Sequence, residues 1–70
     1  MEISEIGKYL QERRTKLQIR QEDLAELTGL TAKTIYLLEN GKGNASLSTL
    51  EKITAVLGLE INLQIKKTIE

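Results

Sequence analysis

The segment Gln21 to Leu38, QEDLAELTGLTAKTIYLL, decides the fold. Its small, flexible and branched residues stand where two short helices crossing at a tight turn need them. Ala25 gives a first helix a flat spot, and any larger side chain there would push the crossing helices apart. Gly29 follows where the chain must turn, a position that favours glycine because a left-handed backbone costs other residues roughly 1–2 kcal/mol. Ile35 then fills the angle between the helices from the second of them.

Working outward, Gln21 to Thr28 reads as one helix, with Glu22 and Asp23 in its first turn where the helix dipole favours acids. Its core face is Leu24 and Leu27. Thr31 is the N-cap of the next helix, which runs to about Glu39, points Ile35 and Leu38 inward, and stops at Asn40-Gly41, a left-handed C-cap pair. Upstream, Ile3, Ile6, Leu10 and Leu17, with Tyr9 alongside, recur at helical spacing behind Ser4 as N-cap, and Gln18 and Ile19 form a connector. Downstream, GKGNA (41–45) is a loop. Ser46 caps a fourth helix, whose apolar residues Leu47, Leu50, Ile53 and Leu57 lead to a closing Gly58. The expected fold is therefore mainly α, with four helices. The Ala25, Gly29 and Ile35 spacing is the helix-turn-helix signature, in which the second helix enters the major groove of DNA.

The last segment changes period. Leu59, Ile61, Leu63 and Ile65 alternate with Glu60, Asn62, Gln64 and Lys66, which fits a half-buried strand. A lone strand leaves its backbone groups unpaired, and Met1 to Ile3 is the sole other segment with any strand character. The reading is an antiparallel two-stranded ribbon formed with a second copy, its apolar side covering the helices. A fifth helix is the alternative, since Leu, Gln, Glu and Lys are good helix formers. The chain then divides into a helix-turn-helix domain, 1–58, and a C-terminal dimerisation strand with a short tail, 59–70.

Composition narrows the chemistry. With 70 residues there is one domain, able to bury only about 60% of its unfolded surface, so extra burial through self-association is expected. The chain has no cysteine and no histidine, which removes disulfides, thiolate nucleophiles, imidazole bases and nearly all transition-metal sites. There is no phosphate-binding glycine loop, because GKG is too short for a Walker motif, and no acid pair with a pocket. Enzymatic activity and cofactors are not expected. No apolar run reaches the roughly 18 residues of a membrane span, and MEISEIGKYL lacks the basic start of a signal peptide; the expected setting is a reducing cytoplasm. Ten basic and ten acidic residues cancel, yet Arg13, Arg14, Lys16 and Arg20 cluster ahead of the motif, with Lys33 inside it and Lys42 after it. Mixed surface charge accounts for the same pattern.

From about Ile6 to Gly58 the chain resembles the phage Cro/repressor-like (XRE) helix-turn-helix family, whose fold is the four-helix lambda-repressor-like domain. The resemblance rests on RQEDLAELTGL, TAKTIYLLENGKG and SLSTLEKITAVLG matched in order. The tail LEINLQIKK is similar to the C-terminal strand of HipB-type antitoxins, which in that family joins the two protomers and accompanies a kinase-like toxin. The expected function is a homodimeric, sequence-specific repressor of double-stranded DNA that serves as antitoxin to a HipA-like toxin and represses its own operon. A prophage or stand-alone regulator without a toxin is the alternative. An interaction module that reuses the fold without DNA is the reading from another class.

On the outward face of the third helix, Ala32, Lys33, Tyr36 and Leu37 are the candidate base contacts. Lys33 would donate to guanine O6 and N7, Ala32 and Leu37 would touch thymine methyls, and Tyr36 a base or a phosphate. Many relatives carry glutamine where Ala32 and Lys33 stand, so their base preference does not transfer. The resemblance places Gln21 against the DNA backbone, and places Asn40, Lys42 and Asn44 in a loop beside it. Thr31 and Thr34 offer hydroxyls near a helix start where phosphates meet N–H groups; capping alone also accounts for Thr31. Arg13 and Arg20 are within reach of phosphate. Arg14 and Glu39 match positions that in phage-repressor relatives form an inward ion pair, and are set aside as structural.

Overall fold

The computed structural model describes residues 2–66. It contains four helices: α1 (Ile3–Lys16), α2 (Gln21–Thr28), α3 (Ala32–Glu39) and α4 (Leu47–Leu57). α1 packs on α3 and α4, and α2 packs on the same two. The core is Leu10 from α1, Leu24 and Ala25 from α2, Ile35 and Leu38 from α3, and Ile53 and Leu57 from α4. Each helix contributes one or two large apolar residues, so no helix can be removed without opening the centre. Among the described residues no helix is long and apolar enough to cross a membrane.

The helix ends follow local chemistry, with one correction. α1 starts behind Glu2, whose N–H donates to Glu5 Oε1 at 2.9 Å, and not behind Ser4, which lies within the helix. Thr31 and Ser46 cap α3 and α4 as expected, accepting from the backbone N–H groups of Thr34 and Thr49, each at 3.1 Å. At the exit of α3 the left-handed residue is Gly41 (φ 71°), while Asn40 keeps φ −95°. α1 ends in the same kind of turn on a non-glycine residue, Gln18 (φ 61°): Ile19 N–H donates to the Arg14 carbonyl and Gln18 N–H to that of Thr15. That pair of bonds is the Schellman closure of a helix. It swings Ile19 back onto the core, so Ile19 packs where the sequence suggested a mere connector.

Five residues of the expected apolar stripes stand outside the core: Ile3 and Tyr9 on α1, and three leucines. Leu17 is 40% exposed, Leu27 62% and Leu47 60%. For Leu27 the cause is angular. The face that α2 buries carries Leu24, Ala25 and the half-buried Thr28, and at about 100° per residue Leu27 falls well to the side of it.

The correction at the C-terminus is larger. Among the described residues there is no strand, and 59–66 form no fifth helix. Leu59 is half-buried against the core, its N–H bonded to the Thr54 carbonyl at 2.8 Å. Ile61 borders an apolar groove with Ile6, Tyr9, Leu10 and Leu50, and beyond it Leu63 and Ile65 are 97% and 99% exposed. The alternation survives as sequence, but among the described residues no ladder partner lies beside it. The remaining tail residues, 67–70, lie outside the described residues.

A glycine in the middle of α1 carries the tightest constraint. A Cβ at Gly7 would lie 1.9 Å from the Leu38 carbonyl oxygen, so α1 and α3 touch backbone to backbone there. A mid-helix glycine costs about 1 kcal/mol in propensity, and the close approach explains its presence.

Two substitutions should therefore move stability in opposite directions. Gly7→Ala restores propensity but overpacks the crossing, and a net loss of about 1–3 kcal/mol is expected; an unchanged or higher Tm would contradict the close approach. Gln18→Gly relieves the left-handed residue and should raise the unfolding free energy by about 0.5–1 kcal/mol. An unmoved urea midpoint would show that Gln18 carries no strain.

Candidate nucleic-acid interface

Gly29 sets the angle between α2 and α3. Its φ of 77° is left-handed, and no atom lies within 4 Å of a would-be Cβ, so the demand is conformational and not spatial. Ala25 closes the crossing from one side, buried, and its carbonyl receives both Gly29 and Leu30 N–H groups, at 2.9 and 3.1 Å. Ile35 fills the angle, 1% exposed.

With Ile35, Leu38 and Glu39 buried, the opposite side of α3 presents Ala32, Lys33 and Tyr36 to solvent. Leu37 sits apart from these three. It is half-buried and lines a depression of about 350 Å³ with Leu30, Thr34, Lys42 and Asn44, close to the Gly43 backbone. Lys42 and Asn44 are exposed in the loop, as is Asn40 at the end of α3. The Asn40 amide donates to the Tyr36 carbonyl at 2.8 Å, leaving one N–H for any other acceptor. Thr31 spends its oxygen on capping, and its hydroxyl lies 2.9 Å from that of Thr34.

The cationic run ahead of the motif divides. Arg13 turns inward and donates from Nε to the Leu57 carbonyl at 2.8 Å, satisfying a terminal carbonyl of α4. That bond commits Nε and leaves the two Nη groups of a half-buried side chain for any phosphate. Arg14 donates from Nε to Glu39 Oε2 at 2.6 Å and from Nη2 to Oε1 at 2.9 Å, so the expected ion pair is bidentate. Its remaining nitrogen, Nη1, donates to the Ile19 carbonyl at 2.7 Å. The bond to Glu39 raises the Arg14 pKa against the opposing effect of burial. Arg20 stays exposed and pairs with Asp23 at 3.1 Å. Its guanidinium, donating to the carboxylate, holds Asp23 below the usual carboxylate range.

Gln21 does more than begin α2. It is half-buried, and its Nε2 donates to Glu39 Oε1 at 2.9 Å. The carboxylate of Glu39, 2% exposed at its side chain, thus gathers donors from α1 and α2. Among the described residues no buried side-chain nitrogen or oxygen lacks a partner. Sequence reasoning found the Arg14–Glu39 pair but missed the Gln21 bond, the Arg13 anchor and the Gly7 approach. For Gly7 a signal existed, since a glycine amid helical periodicity needs a packing reason; for the two hydrogen bonds there was none.

Two short helices joined through a left-handed glycine, with the second capped, braced and open on one face, define a helix-turn-helix module. The family model described as Helix-turn-helix matches residues 10–64, and the chain belongs to this XRE-type family. It is 39% identical over 59 residues to a putative HTH-type transcriptional regulatory protein of Methanothermobacter thermautotrophicus, covering 84% of this chain and 19% of that one. It is likewise 39% identical over 56 residues to the HTH-type transcriptional regulator PuuR of Escherichia coli, covering 80% of this chain and 30% of that one. The chain thus spans less than a third of these two relatives. Among solved structures, the restriction-modification controller protein C.AhdI of Aeromonas hydrophila superposes with a TM-score of 0.79 at 34% identity, over 83% of this chain and 88% of that one.

Removing one member of the buried pair strands the other charge. Arg14→Met should cost about 3–5 kcal/mol, most of the roughly 4–10 kcal/mol available to a domain of this size. Circular dichroism melts should show the variant largely unfolded near 37 °C; a Tm equal to that of the parent would refute the structural role.

Proposed function

We propose that the chain is a sequence-specific double-stranded DNA-binding transcriptional repressor, acting as a homodimer on an inverted-repeat operator. The observation that carries this reading is the open face of α3. Ala32, Lys33 and Tyr36 stand exposed on a helix whose other side is locked into the core, and a rigid helix with one open face is what a major groove admits. The names of its relatives, transcriptional regulators and a controller protein, support the same class of role.

In this reading Lys33 donates to guanine, Ala32 and Leu37 meet thymine methyls, and Tyr36 contacts a base or phosphate. Leu37 contributes least, being half-turned into the loop. Gln21, Thr31, Thr34, Asn40, Lys42 and Asn44 hold the DNA backbone. Lys33 and Lys42 supply the counterion-release term that a chain of zero net charge otherwise lacks. The residues 59–70 form the dimerisation segment, through Leu59, Ile61, Leu63 and Ile65. Two recognition helices related by a two-fold axis then read half-sites about 34 Å apart, or a multiple of that. No catalytic step is assigned to the chain.

A second reading makes the repressor a HipB-like antitoxin of a HipA-like toxin. It is favoured by one observation, the alternating tail whose Leu63 and Ile65 are almost fully exposed and so free to engage another chain. A kinase-like reading frame beside the gene supports it, and its absence leaves the stand-alone regulator.

Selection of bound duplexes from a random pool, together with the molar mass in solution, tests the proposal. Enrichment of an inverted repeat by a dimer is expected, and flat enrichment with no affinity at low salt would leave an interaction module in its place. On the selected site, Lys33→Ala should cost about 1–3 kcal/mol and relax preference at one base pair. A footprint and base preference identical to the parent's would remove Lys33 from the reading set.

A further inference from the structure

The bond between Gln21 and Glu39 ties a residue of the proposed DNA face to the buried ion pair, and its polarity is fixed by chemistry. A carboxylate only accepts, so the Gln21 carboxamide must turn its nitrogen inward. Glu39 Oε1 takes one of the two Nε2 hydrogens at 2.9 Å. It cannot yield to another partner easily, because Arg14 grips the same carboxylate at 2.6 and 2.9 Å and is itself tied to the Ile19 carbonyl. The second Nε2 hydrogen is then the one donor left on the Gln21 side chain. A phosphate oxygen also only accepts. With the amide turned over, Gln21 would show it a carbonyl oxygen and repel it.

We propose that Glu39 is a positioning residue for DNA binding: from inside the fold it fixes the Gln21 carboxamide with its second N–H outward, towards a backbone phosphate. Arg14 supports it by holding the carboxylate in place and cancelling its charge, so that no buried negative potential opposes the DNA. The proposal rests on the reading of Gln21 as a backbone contact. A stability role for the Arg14–Glu39 pair does not require it, since the pair would brace the helices equally well without Gln21.

The test compares affinity for a random-sequence duplex at low salt. Gln21→Ala should weaken binding about tenfold, the scale of a hydrogen bond to a charged group. Arg14→Met with Glu39→Leu exchanges the buried pair for apolar residues without stranding a charge, an exchange that is often near neutral for folding. It should weaken binding by a similar factor in the parent and by less than about twofold in the Gln21→Ala background. Arg14→Lys, which keeps both the cation and the acceptor, should restore near-parental affinity. Equal weakening in both backgrounds would mean that the pair acts through the fold alone, and would overturn the proposal.

If Gln21→Ala binds as the parent does, the premise about Gln21 fails and the proposal with it, while DNA binding stands. If the parent binds no duplex, the functional reading itself is lost and the proposal with it. Should the double variant not fold, the parent protein decides by nuclear magnetic resonance. One Gln21 side-chain amide proton should exchange several-fold more slowly than those of the exposed Gln11 and Gln18, and duplex should shift its geminal partner. Exchange as fast as in Gln11 and Gln18, or no shift with duplex, would overturn the assignment.

Discussion

The carboxylate of Glu39, at the last residue of α3, holds three segments of the chain in register. It accepts two bonds from Arg14 on α1 and one from Gln21 at the start of α2, while Arg14 reaches on to the loop carbonyl of Ile19. Burying a carboxylate costs several kcal/mol unless such donors surround it. The cost is also the source of precision: any rotation of α3 that separates Glu39 from Arg14 leaves a charge in the core without its partner. Apolar packing alone would permit small slides between helices of eight residues. The ion pair does not.

Two close backbone approaches act at the same end of α3. Gly7 brings α1 against the Leu38 carbonyl, and a Cβ at Gly41 would stand 2.9 Å from Ser4 Cα. α1 thus grips the C-terminal turn of α3 from above while the left-handed Gly29 fixes its other end. The helix is held by its termini and its inner face, which leaves the outer face free of internal duties. That separation of bracing from presentation is what allows a chain of this size to hold one helix face both rigid and exposed.

The same geometry redistributes charge. Arg13 and Arg14 look from the sequence like part of a basic patch, but the first satisfies the end of α4 and the second is neutralised by Glu39. Of the cations in and around the motif, Lys16, Arg20, Lys33 and Lys42 stay exposed, with Arg20 already paired to Asp23. Any attraction for a polyanion arises from where these few residues stand, and not from net charge. The tail obeys a different logic. Its two-residue period is plain in the sequence, yet a strand is a property of two segments, and within the described part of this chain the second segment is missing.

The sequence by itself determined the four helices, three of the four N-terminal boundaries, the left-handed turns at Gly29 and Gly58, and the outward placement of Ala32, Lys33 and Tyr36. These depend on periodicity, capping and backbone sterics, all of which act over a few residues. Only the tertiary structure decided which way Arg13 faces, that Gln21 answers to Glu39, that Leu27 stays outside, and that Gly7 is a point of contact. Each of those joins residues distant in the chain or depends on the angle at which one helix meets another, and a side chain's partner across 18 or 44 positions leaves no local trace.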